Sequence, residues 1–351
     1  MPQNILITGA SGYLGGTLLA RWSGAKLRGY DKLFALVRTN AQDEAVRKYG
    51  AQPLTFNLGD EAAVREAILA NNINIVYYLI DALHAESQVF FIRALGELKK
   101  KTGQEVHFLH TTGVKIFSSL AGAPTDRPLL DSEPDLYSIQ KAQKAGSALM
   151  QEAVDTNSTV IEQGEAHGVR TYIFAPCIVY GQGEGFGNKI SIQTVAIVKA
   201  AKAAGQVYKI TPGRPIRQTW PVCHVVDNTN LFLAILKSIL GGEKPGHGKR
   251  GYYLAASGSV AWDDLYAAMA ATLAKRGVIK DDTVVAADDS ALEKMASGLE
   301  CPKPFVEVQL GGNCTFTAAH GQELGWKAQY SPEHAVETAD AEVDFILQNL
   351  E

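Results

Sequence analysis

Tyr137 and Lys141 stand four residues apart in Tyr137-Ser138-Ile139-Gln140-Lys141, a spacing that puts both on one face of a helix. A phenol ionises near pH 10, too high for proton transfer at neutral pH. A neighbouring ammonium favours the phenolate, so such a pair can act as a general acid or base. With 13 tyrosines in the chain the spacing arises easily by chance; its position after a fifth apolar strand gives it weight. A second group is Gly9-Ala10-Ser11-Gly12-Tyr13-Leu14-Gly15, between an apolar strand and a helix. Glycines there allow a tight turn, a close approach of backbone to a pyrophosphate and close helix packing. The helix N-terminus adds free N–H groups and a positive dipole end. Together they point to a dinucleotide.

The second strand decides which dinucleotide is expected. It ends Leu36-Val37-Arg38-Thr39-Asn40, without the carboxylate that binds a ribose 2′-hydroxyl in NAD sites. Arg38 can pair a 2′-phosphate as a bidentate fork, and Ser11 can add a hydroxyl donor. NADP(H) is therefore expected over NAD; the plainer reading makes Arg38 a surface arginine. The remaining candidates have plainer readings too. His107 and His110, three apart on a strand, face opposite sides, so no metal site is expected. His224 reads as a structural hydrogen-bonding residue rather than a catalyst. Lys99-Lys100-Lys101 reads as a solvated helix end. Cys177 reads as a small apolar residue in a buried turn. Gln182 to Phe186 and Trp220 are expected to border a substrate pocket, although core packing explains Trp220 as well.

These groups need a frame. Strands are expected at 4–8, 32–37, 53–57, 74–79, 105–110 and 170–175, with helices at 14–22, 43–49, 61–70 and 87–101 and another after Tyr137. Strands apolar throughout are covered on both faces, and regular alternation with helices predicts a parallel, doubly wound α/β sheet. After about Gly181 the pattern changes. A glycine-rich loop leads to a helix at 190–204, a strand at 219–225, a helix at 228–240, a strand at 252–255 and a closing helix at 332–349. The expected division is a dinucleotide-binding domain over 1–181 and 226–257, with a smaller mixed substrate lobe from 182–225 and 258–351. The bulk numbers agree with a globular enzyme: 351 residues, 46% hydrophobic, 20% charged and a net charge of -4. That charge offers nothing to nucleic acid or an anionic membrane surface. The sequence has no apolar run of the length that spans a bilayer, and no cleavable leader is expected. Its four cysteines show no paired spacing. A cytoplasmic location with free thiols is expected.

The sequence resembles the extended short-chain dehydrogenase/reductase superfamily, whose members include NAD(P)-dependent epimerases and dehydratases. Thr8-Gly9-Ala10-Ser11-Gly12-Tyr13-Leu14-Gly15 matches its Thr-Gly-x-x-Gly-x-x-Gly, and Tyr137 with Lys141 matches its catalytic pair. Ala175-Pro176-Cys177-Ile178-Val179-Tyr180-Gly181, His224-Val225-Val226-Asp227 and Gly325-Trp326 resemble its later signatures, in the family's order. The resemblance implies a Rossmann-type fold. It makes Tyr137 the proton donor or acceptor, and Lys141 the group that lowers its pKa and binds the nicotinamide ribose. It places Gly9, Gly12, Tyr13, Leu14 and Gly15 at the pyrophosphate, Asn57 and Leu58 at the adenine, Ile80 beside the cofactor, and Pro176 and Ile178 by the carboxamide.

Two departures matter. The family's Ser or Thr at the end of the fifth strand falls, by one count, on Gly113 and by another on Thr112; Thr112 is the expected oxygen-polarising residue, with Thr111 as fallback. Ile80-Asp81 replaces small residues, and Asp81 reads equally as a ligand for a polar substrate or a helix cap. The expected function is an NADP(H)-dependent oxidoreductase that reduces a carbonyl, or oxidises the alcohol, of a small molecule. The alternatives are a nucleotide-sugar epimerase or dehydratase that retains its cofactor, and a non-catalytic NADP(H)-sensing regulator. Helices after the fourth and fifth strands often form a dimer in the resembled family, so a homodimer is compatible with the chain.

Overall fold

The computed structural model describes residues 3–210 and 217–350. Arg214, which with Arg217 forms the one close arginine pair in the sequence after Gly181, lies outside the described residues. Seven strands form the central sheet: β1 (Gln3–Ile7), β2 (Tyr30–Leu36), β3 (Gln52–Leu54), β4 (Ile75–Tyr78), β5 (His107–Thr111), β6 (Arg170–Pro176) and β7 (Tyr252–Ala255). Their spatial order is β7-β6-β5-β4-β1-β2-β3, and every pairing is parallel. The order reverses between β1 and β4, and in such sheets ligands bind outside the strand C-termini at that switch point.

Successive side chains on each strand serve the two faces. Ile5, Ile7, Tyr77, Leu109 and Phe174 join one buried cluster; Leu6, Val76, Tyr78, Phe108 and Ile173 join the other. Six helices occur through β6: α1 (Tyr13–Arg21), α2 (Asn40–Lys48), α3 (Glu61–Ala70), α4 (Glu86–Thr102), α5 (Leu136–Ala142) and α6 (Ala148–His167). Beyond them lie α7 (Gln193–Ala204), α8 (Val225–Leu240) and α9 (Trp262–Lys275). Leu18 and Leu19 of α1 and Leu231, Phe232 and Ile235 of α8 cover the first face. Residues of α3, α4 and α6 cover the second.

The helix boundaries follow from capping chemistry. Thr39 starts α2 three residues before the expected point, its side chain accepting the Gln42 N–H. His224 starts α8 likewise, accepting the Val226 N–H at 3.2 Å. Gly168, at φ 70°, ends α6 in the left-handed conformation that glycine adopts without a Cβ penalty. The helix expected over 332–349 is interrupted at Thr338, giving His334–Glu337 and Ala339–Asn349. The larger difference lies after Tyr137. The helix there is only seven residues long and breaks at Gln143, whose backbone is extended at φ -60°, ψ 145°. The buried Gln143 amide donates to the Ile116 carbonyl at 2.7 Å and the Ala121 carbonyl at 2.9 Å. The chain restarts as α6 only after Ser147, whose side chain accepts the Met150 N–H at 3.3 Å.

After Pro176, apart from α8 and β7, the described chain lies outside the central sheet. Strands Ile178–Tyr180, Thr219–His224 and Gly258–Ala261 form a second sheet, and α7 and α9 pack with helices Asp289–Gly298 and Ala339–Asn349. No helix among the described residues is long and apolar enough to cross a membrane.

His107 and His110 occupy opposite faces of β5, as their spacing requires. His107 Nδ1 lies 3.0 Å from the Tyr172 hydroxyl, whereas the His110 ring sits 6.3 Å from that of Tyr78. Burial pushes His107 down to about 3 and His110 down to about 4. Unfolded imidazoles take up protons near pH 6.5, so between that value and about 4 the unfolded chain binds more protons. Stability is expected to fall as pH drops through this window. His110→Leu should flatten the slope of unfolding free energy against pH; urea titrations of both proteins at pH 7 and 5 check this.

Candidate active site

The C-terminal ends of β1, β4, β5 and β6 open into one cleft of about 440 Å³, within the range of small-molecule sites. The glycine loop forms one wall, with Gly9, Gly12, Tyr13, Leu14 and Gly15 all lining it. Gly9 has φ +70° and a Cβ there would stand 2.8 Å from the Leu79 carbonyl oxygen; a Cβ on Gly15 would stand 2.3 Å from the Gly9 carbonyl oxygen. Gly12 caps α1 without a side-chain hydrogen bond, leaving the first-turn N–H groups available to an anion.

A strap over 181–189 lies across this loop. Part of its contact is backbone to backbone: the Asn188 N–H donates to the Ser11 carbonyl at 2.9 Å, and a Cβ on Gly185 would stand 2.5 Å from Gly16 Cα. The Tyr13 hydroxyl donates to the Gly181 carbonyl at 2.6 Å, and Arg21 pairs with Glu184 at 2.5 Å. The strap brings Asn188 to the cleft, and Ile192 and Gln193 follow it there, together with Trp220. Residues 182–186, expected at the pocket, lie outside its lining.

Ser11 and Arg38 lie beyond the lining, at the end of β2, and Gln42 joins them. Its amide donates to the Ser11 hydroxyl at 3.3 Å, and its carbonyl accepts the Arg38 N–H at 2.8 Å. The Arg38 side chain is exposed. Asn57 forms a local turn, Oδ1 accepting the Gly59 N–H at 3.0 Å, and Leu58 packs on the core. Ile80 and Pro176 line the cleft, but Ile178 is fully buried in the core behind it. Asp81 holds the turn before α4: its carboxylate accepts the Leu83 N–H at 2.7 Å and lies 2.7 Å from His84 Nδ1. It does not cap α4, whose N-cap Ala85 makes no side-chain hydrogen bond, and it stands between the lining residues Ile80 and Ala82.

The structure does not bring Tyr137 and Lys141 to the cleft. The Tyr137 hydroxyl donates to Glu162 Oε1 of α6 at 2.5 Å, and Lys141 ion-pairs with the same carboxylate. Lys249 lies over the Tyr137 ring, 5.2 Å from its centroid. Gly164, two residues beyond Glu162, packs on Thr171 at the start of β6. The cleft is at the other end of that strand, roughly 15 Å away at strand rise. The electrostatics also run opposite to expectation. Burial first, then the Glu162 carboxylate, raise the Tyr137 pKa against the opposing pull of Lys141. The first two turns of α6, at the cleft end of the sheet, contain neither tyrosine nor lysine. The cause is the helix break at Gln143, which places Tyr137 on a short detour instead of on the crossover helix.

The end of β5 supplies the polar groups. Thr111 and Thr112 line the cleft, and both hydroxyls are buried without a hydrogen-bond partner among the described residues. Gly113 follows them in the lining. Lys115, on the short turn Val114–Phe117, also lines the cleft. It was missed because a lone lysine carries no spacing signal. Burial alone pushes its ammonium down to about 8. Cys177 faces the cleft too, but its thiol donates to the Ala255 carbonyl at 3.0 Å and burial raises its pKa.

The all-parallel sheet, its switch-point cleft and the glycine loop define a Rossmann-type α/β protein. The chain belongs to the NAD dependent epimerase/dehydratase family, whose model matches residues 5–248. Comparison of the sequence with curated proteins finds no match. The fold is similar to that of UDP-glucose 4-epimerase from Thermotoga maritima, solved with UDP-glucose, at 14% identity and TM-score 0.64 over 99% of this chain and 100% of that one. It is similar also to UDP-glucose 4-epimerase from Bifidobacterium longum, solved with NAD+ and UDP, at 14% identity, TM-score 0.63 and 99% of both chains. A third is dTDP-glucose 4,6-dehydratase from Bacillus anthracis, solved with NAD, at 10% identity and TM-score 0.64 over 99% and 97%.

Tyr137→Phe removes two hydrogen bonds, one donated to Glu162 and one accepted from Lys141, each worth about 1 kcal/mol, at a point remote from the cleft. It should lower the melting temperature slightly and leave dinucleotide affinity within about twofold, since a factor of two is well under 1 kcal/mol. Thermal melts and fluorescence titration with NADPH check both; a collapse of affinity would put the phenol back at the ligand.

Proposed function

We propose that the protein is an NADP(H)-dependent oxidoreductase that reduces a carbonyl, or oxidises the corresponding alcohol, of a small organic molecule held in this cleft. The observation that carries the reading is one continuous space. It begins at the uncapped N-terminus of α1 and reaches the unpartnered Thr112 hydroxyl. The cradle fits a pyrophosphate: at Gly9 and Gly15 a Cβ has no room against the wall, and at Gly12 it would be tight. Gly9, Gly12, Tyr13, Leu14 and Gly15 would hold that group, with Asn57 and Leu58 on the adenine side. Ile80, Pro176 and the backbone leading to Ile178 would flank the nicotinamide. Bound there, the dinucleotide supplies or accepts a hydride. Thr112 would donate a hydrogen bond to the substrate oxygen, with Thr111 beside it, and the proton that accompanies the hydride would be exchanged with solvent. Arg38, Ser11 and Gln42 form the group that would take a 2′-phosphate.

The separation of Tyr137 and Lys141 from the cleft favours a second reading, an NADP(H)-sensing regulator that performs no chemistry. A nucleotide-sugar epimerase or dehydratase has less support, because Arg217 of the lobe is already ion-paired with Asp264. Exposure of the purified protein to a panel of aldehydes and ketones, with NADPH absorbance followed, separates the first two: sustained oxidation supports the enzyme, and none across the panel supports the sensor. Arg38→Asp should weaken NADPH binding by about tenfold or more relative to NADH, the worth of a charge-assisted hydrogen bond. An unchanged NADPH:NADH ratio of Kd values in calorimetric titrations would remove Arg38 from the site.

A further inference from the structure

We infer that the cleft is built for an apolar organic acid, with the carboxylate held by the Lys115 ammonium and its hydrocarbon or aromatic body laid against Trp220 and Ile192. This rests on the cleft being the substrate site of the proposed oxidoreductase and adds the class of substrate.

The first argument is charge. Among the described residues lining the cleft, Lys115 is the one charged side chain. Its ammonium makes no hydrogen bond or ion pair among the described residues. Most other lysines with a described partner, such as Lys99, Lys141 and Lys249, pair with a carboxylate. A desolvated, unpaired ammonium is costly unless an anion completes it. Beside it, Thr111 and Thr112 keep buried hydroxyls without partners, and such groups in native proteins call for a ligand or water. An ammonium and hydroxyl donors suit an oxygen anion.

The second argument is position. Lys115 follows β5, and the glycine loop follows β1, with β4 between them. Two strand spacings are roughly 10 Å, so the cation lies away from the pyrophosphate cradle, towards the substrate end. The third argument is the apolar lip. Of the four large hydrophobic side chains exposed among the described residues, Ile80 at 48% and Ile192 at 72% stand on this cleft. Trp220 lies within it at 2% exposure. Exposed apolar groups concentrated at one site mark a surface that a ligand covers.

The test is calorimetric titration of the full chain, saturated with NADP+, with hexanoate, its neutral isostere hexanamide, and inorganic phosphate. Hexanoate should bind about tenfold or more tightly than hexanamide, since a hydrogen bond to a charged group is worth roughly that factor. Lys115→Met should lose hexanoate by a similar factor and leave the NADP+ Kd within about twofold, and Lys115→Arg should recover part of the hexanoate affinity. Equal binding of acid and amide by the native protein overturns the inference without any variant. So does undiminished hexanoate binding by Lys115→Met, displacement of hexanoate by phosphate, or a fall in NADP+ affinity in Lys115→Met without an effect on hexanoate. If the native protein binds hexanoate as expected but not NADP+, the acid site stands and the oxidoreductase reading falls.

Discussion

A Cβ on Gly15 would stand 2.3 Å from the Gly9 carbonyl oxygen, and one on Gly187 would stand 2.1 Å from that of Ser11. These contacts are backbone against backbone, with no room for a side chain between them. They hold the end of β1, the start of α1 and the strap over 181–189 in one layer. The cleft exists because of that layer. Its glycine wall exposes peptide N–H groups, and the strap delivers Asn188, with Ile192 and Gln193 beyond it, to the opposite rim. The lobe is anchored to the same point, since the buried Glu342 carboxylate accepts the Gly181 N–H at 2.8 Å and the Thr194 hydroxyl at 2.7 Å.

The second constraint is the break at Gln143. Its buried amide satisfies two carbonyls of the 114–121 segment, and leaving them unpaired in the interior would cost about 1–3 kcal/mol each. These hydrogen bonds are made where the backbone leaves the helix, at the extended Gln143. The crossover helix begins at Ala148, and Tyr137 is committed to Glu162 and Lys141 towards the opposite end of the strands from the cleft. The polar groups left at the cleft are Thr111, Thr112 and Lys115. They combine hydroxyl donors with one uncompensated cation, a set suited to holding oxygen and charge.

Much of the frame was legible in the residues. Seven apolar runs, from Asn4 to Ala255, were readable as strands because a doubly covered parallel strand is apolar on both faces. The glycine loop was readable because its spacing sits between a strand and a helix. The role of Asp81 was open between ligand and cap, and the structure shows it holding the turn with Leu83 and His84. Lys115 and Gln42 escaped notice because neither belongs to a periodic pattern; each matters through neighbours that are distant in sequence or set by a turn.

What the sequence determined by itself is the local part: period, caps and the glycines that a tight turn demands. These depend on residues within a few positions of one another, so composition and spacing suffice. Only the tertiary structure decided which polar groups share the cleft. The Tyr137–Lys141 spacing was intact, yet the helix carrying it ends at Ala142, where the Gln143 amide nitrogen donates to carbonyls more than twenty residues away. Long-range hydrogen-bond satisfaction in a buried interior outweighs local helical preference, and no spacing rule along the chain records that competition.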